Sequence, residues 1–134
     1  MKLLPDTNIL VYDTIEDSGR HDEAAKIMDS ASEILISPIV IHEYIWVMLR
    51  LNISPKIISV KVHEYLEDIR ARYINESLKV INDALKMFEE DKALLRDIND
   101  YIILSLALNT RAVLATFDRG LKTLSLSRGL SVIP

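Results

Sequence analysis

Four acidic residues, Asp6, Glu43, Asp100 and Asp118, stand where a carboxylate needs a reason. Asp6 directly follows the short apolar run Lys2–Pro5, and Asp118 lies two residues after the apolar run Ala112–Thr116. In sheets of parallel strands, ligand sites form at the carboxyl ends of the strands, where the connecting loops begin. Taken alone, either aspartate reads first as a helix cap or turn residue, since Asp at a strand-to-helix junction accepts backbone N–H bonds. Glu43 has Ile39-Val40-Ile41 before it and Tyr44 through Leu49 after it, with His42 the only other polar residue nearby. Removing an ion from water is costly unless it is paired or bound to metal. Glu43 is thus a metal ligand, a partner of an arginine such as Arg50, or an exposed sliver of an otherwise buried helix. Asp97 and Asp100 open the apolar run Tyr101–Leu108 and fall on one side of a helix. Acids also stabilise a first helical turn, so one of the two can be only a cap; Asp100, next to the apolar run, is better placed to face inward.

The rest of the sequence narrows the chemistry. With no cysteine, thiolate zinc sites, cysteine nucleophiles and disulfides are excluded. His42-Glu43 has Trp46 where a helical zinc protease needs a second histidine, and there is no glycine-rich phosphate loop and no Gly-x-Ser-x-Gly elbow. His21 and His63 lie on polar helical segments and read as solvated. The tripeptide His42-Glu43-Tyr44 recurs as His63-Glu64-Tyr65, but Glu64 shares the polar side of its helix with Lys61, Glu67 and Asp68 and is assigned no function. An all-oxygen donor set remains, suited to hard cations such as Mg²⁺ or Mn²⁺ and to phosphate substrates. Such ions can activate water, polarise a phosphodiester and stabilise a leaving oxygen without a histidine.

The elements that must position these acids follow from 134 residues, 49% hydrophobic and 27% charged, which suit one compact domain spanning 1–134. The absence of cysteine, of a signal-like N-terminus and of any membrane-length apolar run points to the cytoplasm. The net charge of −4 has the wrong sign for bulk attraction to nucleic acid, unless acids gathered around cations are locally neutralised. Short strands are expected at Lys2–Pro5, Glu33–Ile36, Glu76–Ile81, Ala112–Thr116 and Leu130–Ile133. Between them, helices are expected around Ile9–Tyr12, over Gly19–Ser32, from Ile39 to Leu51 behind a Ser37-Pro38 start, from Ser54-Pro55 to about Tyr73, over Asn82–Lys92 and over Asp97–Asn109; Phe117–Arg128 is read as a polar helix or loop. The Ile39–Leu51 segment is apolar on nearly every side and reads as a buried helix. Strands alternating with helices imply an α/β fold, a parallel sheet covered on both faces.

Four motifs, in order, resemble the PIN domains, and more narrowly the short prokaryotic VapC-type toxins: Asp6-Thr7-Asn8-Ile9-Leu10, Ser37 through Glu43, Asp100 through Leu108, and Leu114-Ala115-Thr116-Phe117-Asp118-Arg119. The likeness spans nearly the whole chain. It implies a three-layer α/β/α domain with a short central parallel sheet. Asp6, Glu43, Asp100 and Asp118 would be catalytic acids holding Mg²⁺ or Mn²⁺, with Asn8 and Thr116 as polar support and Asp97 as an extra acid found in some members. It also implies a homodimer, for which the Ile57–Tyr73 helix offers a face, an endoribonuclease selective for single strands, and inhibition by a small antitoxin protein. Tyr101 stands where the family usually has a small residue. The expected reaction is hydrolysis of an RNA phosphodiester, with Arg111, Arg119 and Lys122 as candidates to position phosphates. The alternatives are a catalytically silent module that binds RNA or protein, and a metal-dependent DNA nuclease or phosphatase using the same carboxylates.

Overall fold

A computed structural model describes all 134 residues. Two apolar tetrapeptides form two of its three inner strands, β1 (Lys2–Pro5) and β2 (Glu33–Ile36), where the expected boundaries coincide with the observed ones. With β3 (Ala71–Tyr73), β4 (Val113–Ala115) and β5 (Val132–Ile133) they make a five-stranded sheet in the order β3-β2-β1-β4-β5. All four pairings are parallel, and β1 meets β4 in the register Leu3 with Val113, Leu4 with Leu114 and Pro5 with Ala115.

Parallel neighbours need long crossovers, and helices supply them. Between β1 and β3 run α1 (Thr7–Thr14), α2 (His21–Asp29), α3 (Pro38–Arg50) and α4 (Pro55–Leu66). Between β3 and β5 run α5 (Leu78–Glu90), α6 (Ile98–Thr110) and α7 (Arg119–Ser127). Because the chain moves outward in opposite senses from β1 and β4, right-handed crossovers put these two sets on opposite faces. The helix contacts agree: α1 packs on α2 and α3, and α6 packs on α5 and α7. The result is a three-layer α/β/α fold around a short parallel sheet, as the sequence implied.

Two expected elements differ. The helix from Ser54-Pro55 stops at Leu66 instead of Tyr73, and the third strand is Ala71–Tyr73, not Glu76–Ile81. The stop is made by Arg70, whose guanidinium folds onto Asp68 at 2.8 Å and donates to the Met28 and Ala31 carbonyls at 2.9 and 3.1 Å. Those long-range bonds leave Ile69 wholly exposed and lead Ala71 into pairing beside Ile34. Residues 78–81 instead begin α5, where the Ser77 hydroxyl accepts from the Val80 N–H at 3.2 Å. α3 is also not buried all round: Val40, Ile41, Tyr44 and Met48 face the core, while Trp46 and Leu49 are exposed.

A partly buried polar knot fixes α1, α3 and α4 to one another. The Thr14 Oγ1 lies 2.8 Å from the Tyr44 hydroxyl and 3.1 Å from that of Tyr65, which donates to Asp13 Oδ2 at 2.6 Å. Burial raises the hydroxyl pKa of both tyrosines, so both stay protonated donors. Tyr65→Phe leaves a carboxylate oxygen without its donor and is expected to cost about 1–3 kcal/mol in urea unfolding. Tyr44→Phe, which removes only a bond to a hydroxyl that keeps other partners, is expected to cost less.

Candidate active site

The sheet order reverses between β1 and β4, and a crevice opens there above their carboxyl ends. Asp6 follows β1 and is 7% exposed. Its Oδ1 accepts from the Thr7 N–H and its Oδ2 from the Thr116 hydroxyl, each at 2.8 Å. The same Thr116 oxygen accepts from the Asp118 N–H at 3.0 Å, so one buried hydroxyl ties Asp6 to the loop carrying Asp118. Asp118 Oδ1 accepts from the N–H groups of Gly120 and Leu121 at 2.8 and 3.1 Å. A Cβ at position 120 would lie 3.2 Å from that oxygen, so the glycine leaves room for the carboxylate. Asp6 and Asp118 are therefore the N-caps of α1 and α7 as well as lining the crevice; capping and lining coexist.

Glu43 comes from the middle of α3 and is half-buried. The Thr7 hydroxyl donates to its Oε2 and the Asn99 amide to its Oε1, both at 2.8 Å. Arg50 takes no part: its guanidinium sits over the Trp46 ring at 4.7 Å. Asp100 enters from the first turn of α6. These four acids line one cleft of about 310 Å³, with Asn8 and Tyr12 in its wall.

The supporting residues divide. Thr116 holds Asp6, whereas Asn8 holds a loop, its Oδ1 accepting from the Phe117 N–H at 3.2 Å. Asp97 does not line the cleft and lies 4.0 Å from Arg96. Thr7 and Asn99, the two donors to Glu43, escaped the sequence reading. Thr7 was visible only as a neighbour of Asp6, and no periodicity places Asn99 against a residue of another helix. Of the cations, Arg111 closes the far end of α6 from Asp100, and Lys122 donates to the Pro134 carbonyl at 2.6 Å. Arg20 lies over the Phe117 ring at 4.6 Å, and Phe117 meets the cleft residue Tyr12 edge-on. Tyr101 is buried, donates to Asp91 Oδ2 at 2.7 Å and packs edge-on to Phe88, so α6 accommodates its bulk away from the cleft.

Gathering these carboxylates has an electrostatic cost. Burial, opposed by the Thr116 and Thr7 bonds and reinforced by Glu43 and Asp118, raises the Asp6 pKa to about 6. Burial and then the charges of Asp6, Asp118, Asp97 and Glu43 raise that of Asp100 to about 7. As the side chains stand, no three acids or histidines are grouped closely enough to hold a metal ion. The donors nevertheless fit a hard divalent cation in kind: all are carboxylate oxygens on one cleft, and the raised values of Asp6 and Asp100 mark a site short of positive charge.

A model of the PIN-domain family matches residues 3–125. No curated protein sequence gives a significant match. Among solved structures, VapC20 of Mycobacterium tuberculosis, described as a Sarcin-Ricin loop cleaving toxin, superposes with a TM-score of 0.74 at 14% identity over 91% of this chain and 94% of that one. VapBC2 from Rickettsia felis, bound to a DNA fragment from its promoter, gives a TM-score of 0.69 at 21% identity, covering 98% and 97%. VapBC-1 from nontypeable Haemophilus influenzae gives 0.67 at 19%, covering 98% and 96%. At such identities these likenesses establish the fold.

The raised carboxyl values set the pH dependence of stability. Asp6 and Asp100 keep their protons to higher pH in the folded chain than in the unfolded one, so folding takes up protons. The stability of the metal-free protein is therefore expected to fall as pH rises from the ordinary 3.8 through about 7. Asp100→Asn should flatten that profile and raise stability near neutral pH, by less than the full shift implies because solvent screens the half-exposed carboxylate, read from thermal melts across pH. Identical profiles for the two proteins would contradict the repulsion described here.

Proposed function

The chain belongs to the PIN-domain family, and from that premise we propose that it is a metal-dependent endoribonuclease hydrolysing RNA phosphodiester bonds, the toxin of a toxin–antitoxin pair. The observation that carries the reading is the convergence of Asp6, Glu43, Asp100 and Asp118, from four separate segments, on one cleft at the point where the strand order reverses. Those four acids would hold Mg²⁺ or Mn²⁺. A cation there supplies an activated water and charge neutralisation of the phosphate oxygens.

The chain's own groups prepare that chemistry. Thr116 and the Thr7 N–H fix both oxygens of the Asp6 carboxylate, and Thr7 and Asn99 fix both of Glu43, so neither acid must be oriented during turnover. Asp100 is only half-buried and carries no hydrogen bond from a neighbouring residue, which leaves its oxygens free to meet a ligand. Arg119, exposed and next to Asp118 in the chain, would be the candidate to meet a substrate phosphate. The toxin role draws on the fold shared with VapC20, described as a toxin, and with the VapBC structures; a small protein inhibitor and a homodimer belong to the same VapC-type reading.

One observation favours a second reading. The acids are not drawn into a closed ligand group, as would suit a PIN-like module that binds RNA or a partner without cutting. Purified protein with structured and single-stranded RNA separates the two. The nuclease requires Mg²⁺ or Mn²⁺ and is silenced by EDTA, and Asp6→Asn or Glu43→Gln lowers kcat by at least about 100-fold, a rise in the barrier of roughly 2.7 kcal/mol. Cleavage that survives EDTA or Asp6→Asn rules the mechanism out, and retained RNA binding with no cleavage favours the module. DNA and small phosphoesters assayed in parallel separate a DNA nuclease or phosphatase. Sequencing RNA 5′ ends after induced expression of the wild type and Glu43→Gln identifies the substrate.

A further inference from the structure

Beside the acidic cleft lies a second one of about 470 Å³ whose walls include Ile39, His42, Trp46, Val47 and Asn99. We propose that it is a subsite for an unpaired nucleobase of the RNA, flanking the scissile phosphate, with the Trp46 indole as its stacking face. The proposal rests on the endoribonuclease reading and adds how the substrate is gripped.

The two clefts are continuous, because Glu43 and Val47 line both. Glu43 and Trp46 are three residues apart on α3 and so are neighbours on its surface, within about 6 Å between Cβ atoms. A base resting on Trp46 therefore belongs to a nucleotide next to a phosphate held at Glu43. Trp46 is 58% exposed although the opposite side of α3 is in the core. Its ring is steadied by the Arg50 guanidinium at 4.7 Å. Trp46 lines the cleft and Arg50 does not, so the ring meets the open space without the guanidinium in the wall. An arginine-backed aromatic face is the platform on which unpaired bases stack, whatever their identity. At the same walls, the Asn99 amide and the His42 imidazole offer polar groups to a base edge. A base within a duplex is stacked on both sides and cannot enter, so the shelf selects single-stranded RNA. A protein partner on the same face is the competing occupant, and the measurements below separate it from a base.

Trp46 is the only tryptophan, so its emission reports the shelf directly. With Ca²⁺ in place of Mg²⁺, a single-stranded oligoribonucleotide should quench it and a duplex of the same sequence should not. In Mg²⁺, Trp46→Ala should raise KM for the single strand roughly 5- to 100-fold with kcat little changed, and Trp46→Phe should recover most of the loss. A thermal melt close to that of the wild type confirms that each variant folds. Placing an abasic nucleotide on the correct side of the cut should erase the difference between wild type and Trp46→Ala. An unchanged KM for Trp46→Ala, or a difference that survives an abasic nucleotide at both flanking positions tested in turn, overturns the proposal. So does emission unmoved by RNA, including emission that answers only to a protein partner. If the wild type cuts no RNA, the endoribonuclease reading fails separately, and quenching confined to single strands still upholds the shelf.

Discussion

Like charges forced together at the ends of two adjacent strands are the constraint around which this molecule is arranged. Asp6 and Asp118 are set side by side by the pairing of β1 with β4, and α3 and α6 bring Glu43 and Asp100 to the same cleft. The fold opposes the repulsion with partial positive charge. Asp6 and Asp118 cap the N-termini of α1 and α7, and Asp100 lies in the first turn of α6, so three helix dipoles point their favourable ends at the acids. The compensation is incomplete, and the raised pKa values of Asp6 and Asp100 measure what is left over.

Rigidity is distributed unevenly around that cleft. Asp6 is locked by Thr116 and a backbone N–H, and Glu43 by Thr7 and Asn99, while α3 itself is held by Ser37 at its start and by the Thr14, Tyr44 and Tyr65 hydroxyls behind it. Two acids are thus preorganised, and the polar knot behind them transmits the order of α1 and α4 to the glutamate. The formal charge of −4 says nothing of this layout. Arg20 over Phe117 and Arg50 over Trp46 put cations with aromatic faces on side chains close to the acids, a local arrangement that the net sign does not describe.

Much of this was legible in order along the chain. Apolar tetrapeptides bounded by Asp6 and Ser37 give β1 and β2 at their observed limits, because a short run with a capping residue behind it has one natural stop. The third strand was not legible. Arg70 ends the region after α4 by bonding to carbonyls of Met28 and Ala31, about forty residues away, and no local pattern encodes those partners. Burial around α3 was overread for a related reason. An apolar surface left open, as at Trp46 and Leu49, has the same composition as one covered by neighbours.

The sequence by itself determined the kinds of chemistry available: carboxylate oxygens without thiolates, acids at strand ends and beside apolar runs, and the alternation that makes a parallel sheet. Those properties are local, fixed by residue type and by spacing along the backbone. Only the tertiary structure decided that the four acids share one cleft, that Glu43 is held by Thr7 and Asn99 and not by Arg50, and that Trp46 stands open next to them. Each of those facts depends on which helix faces which across the sheet, and packing between residues distant in sequence settles that.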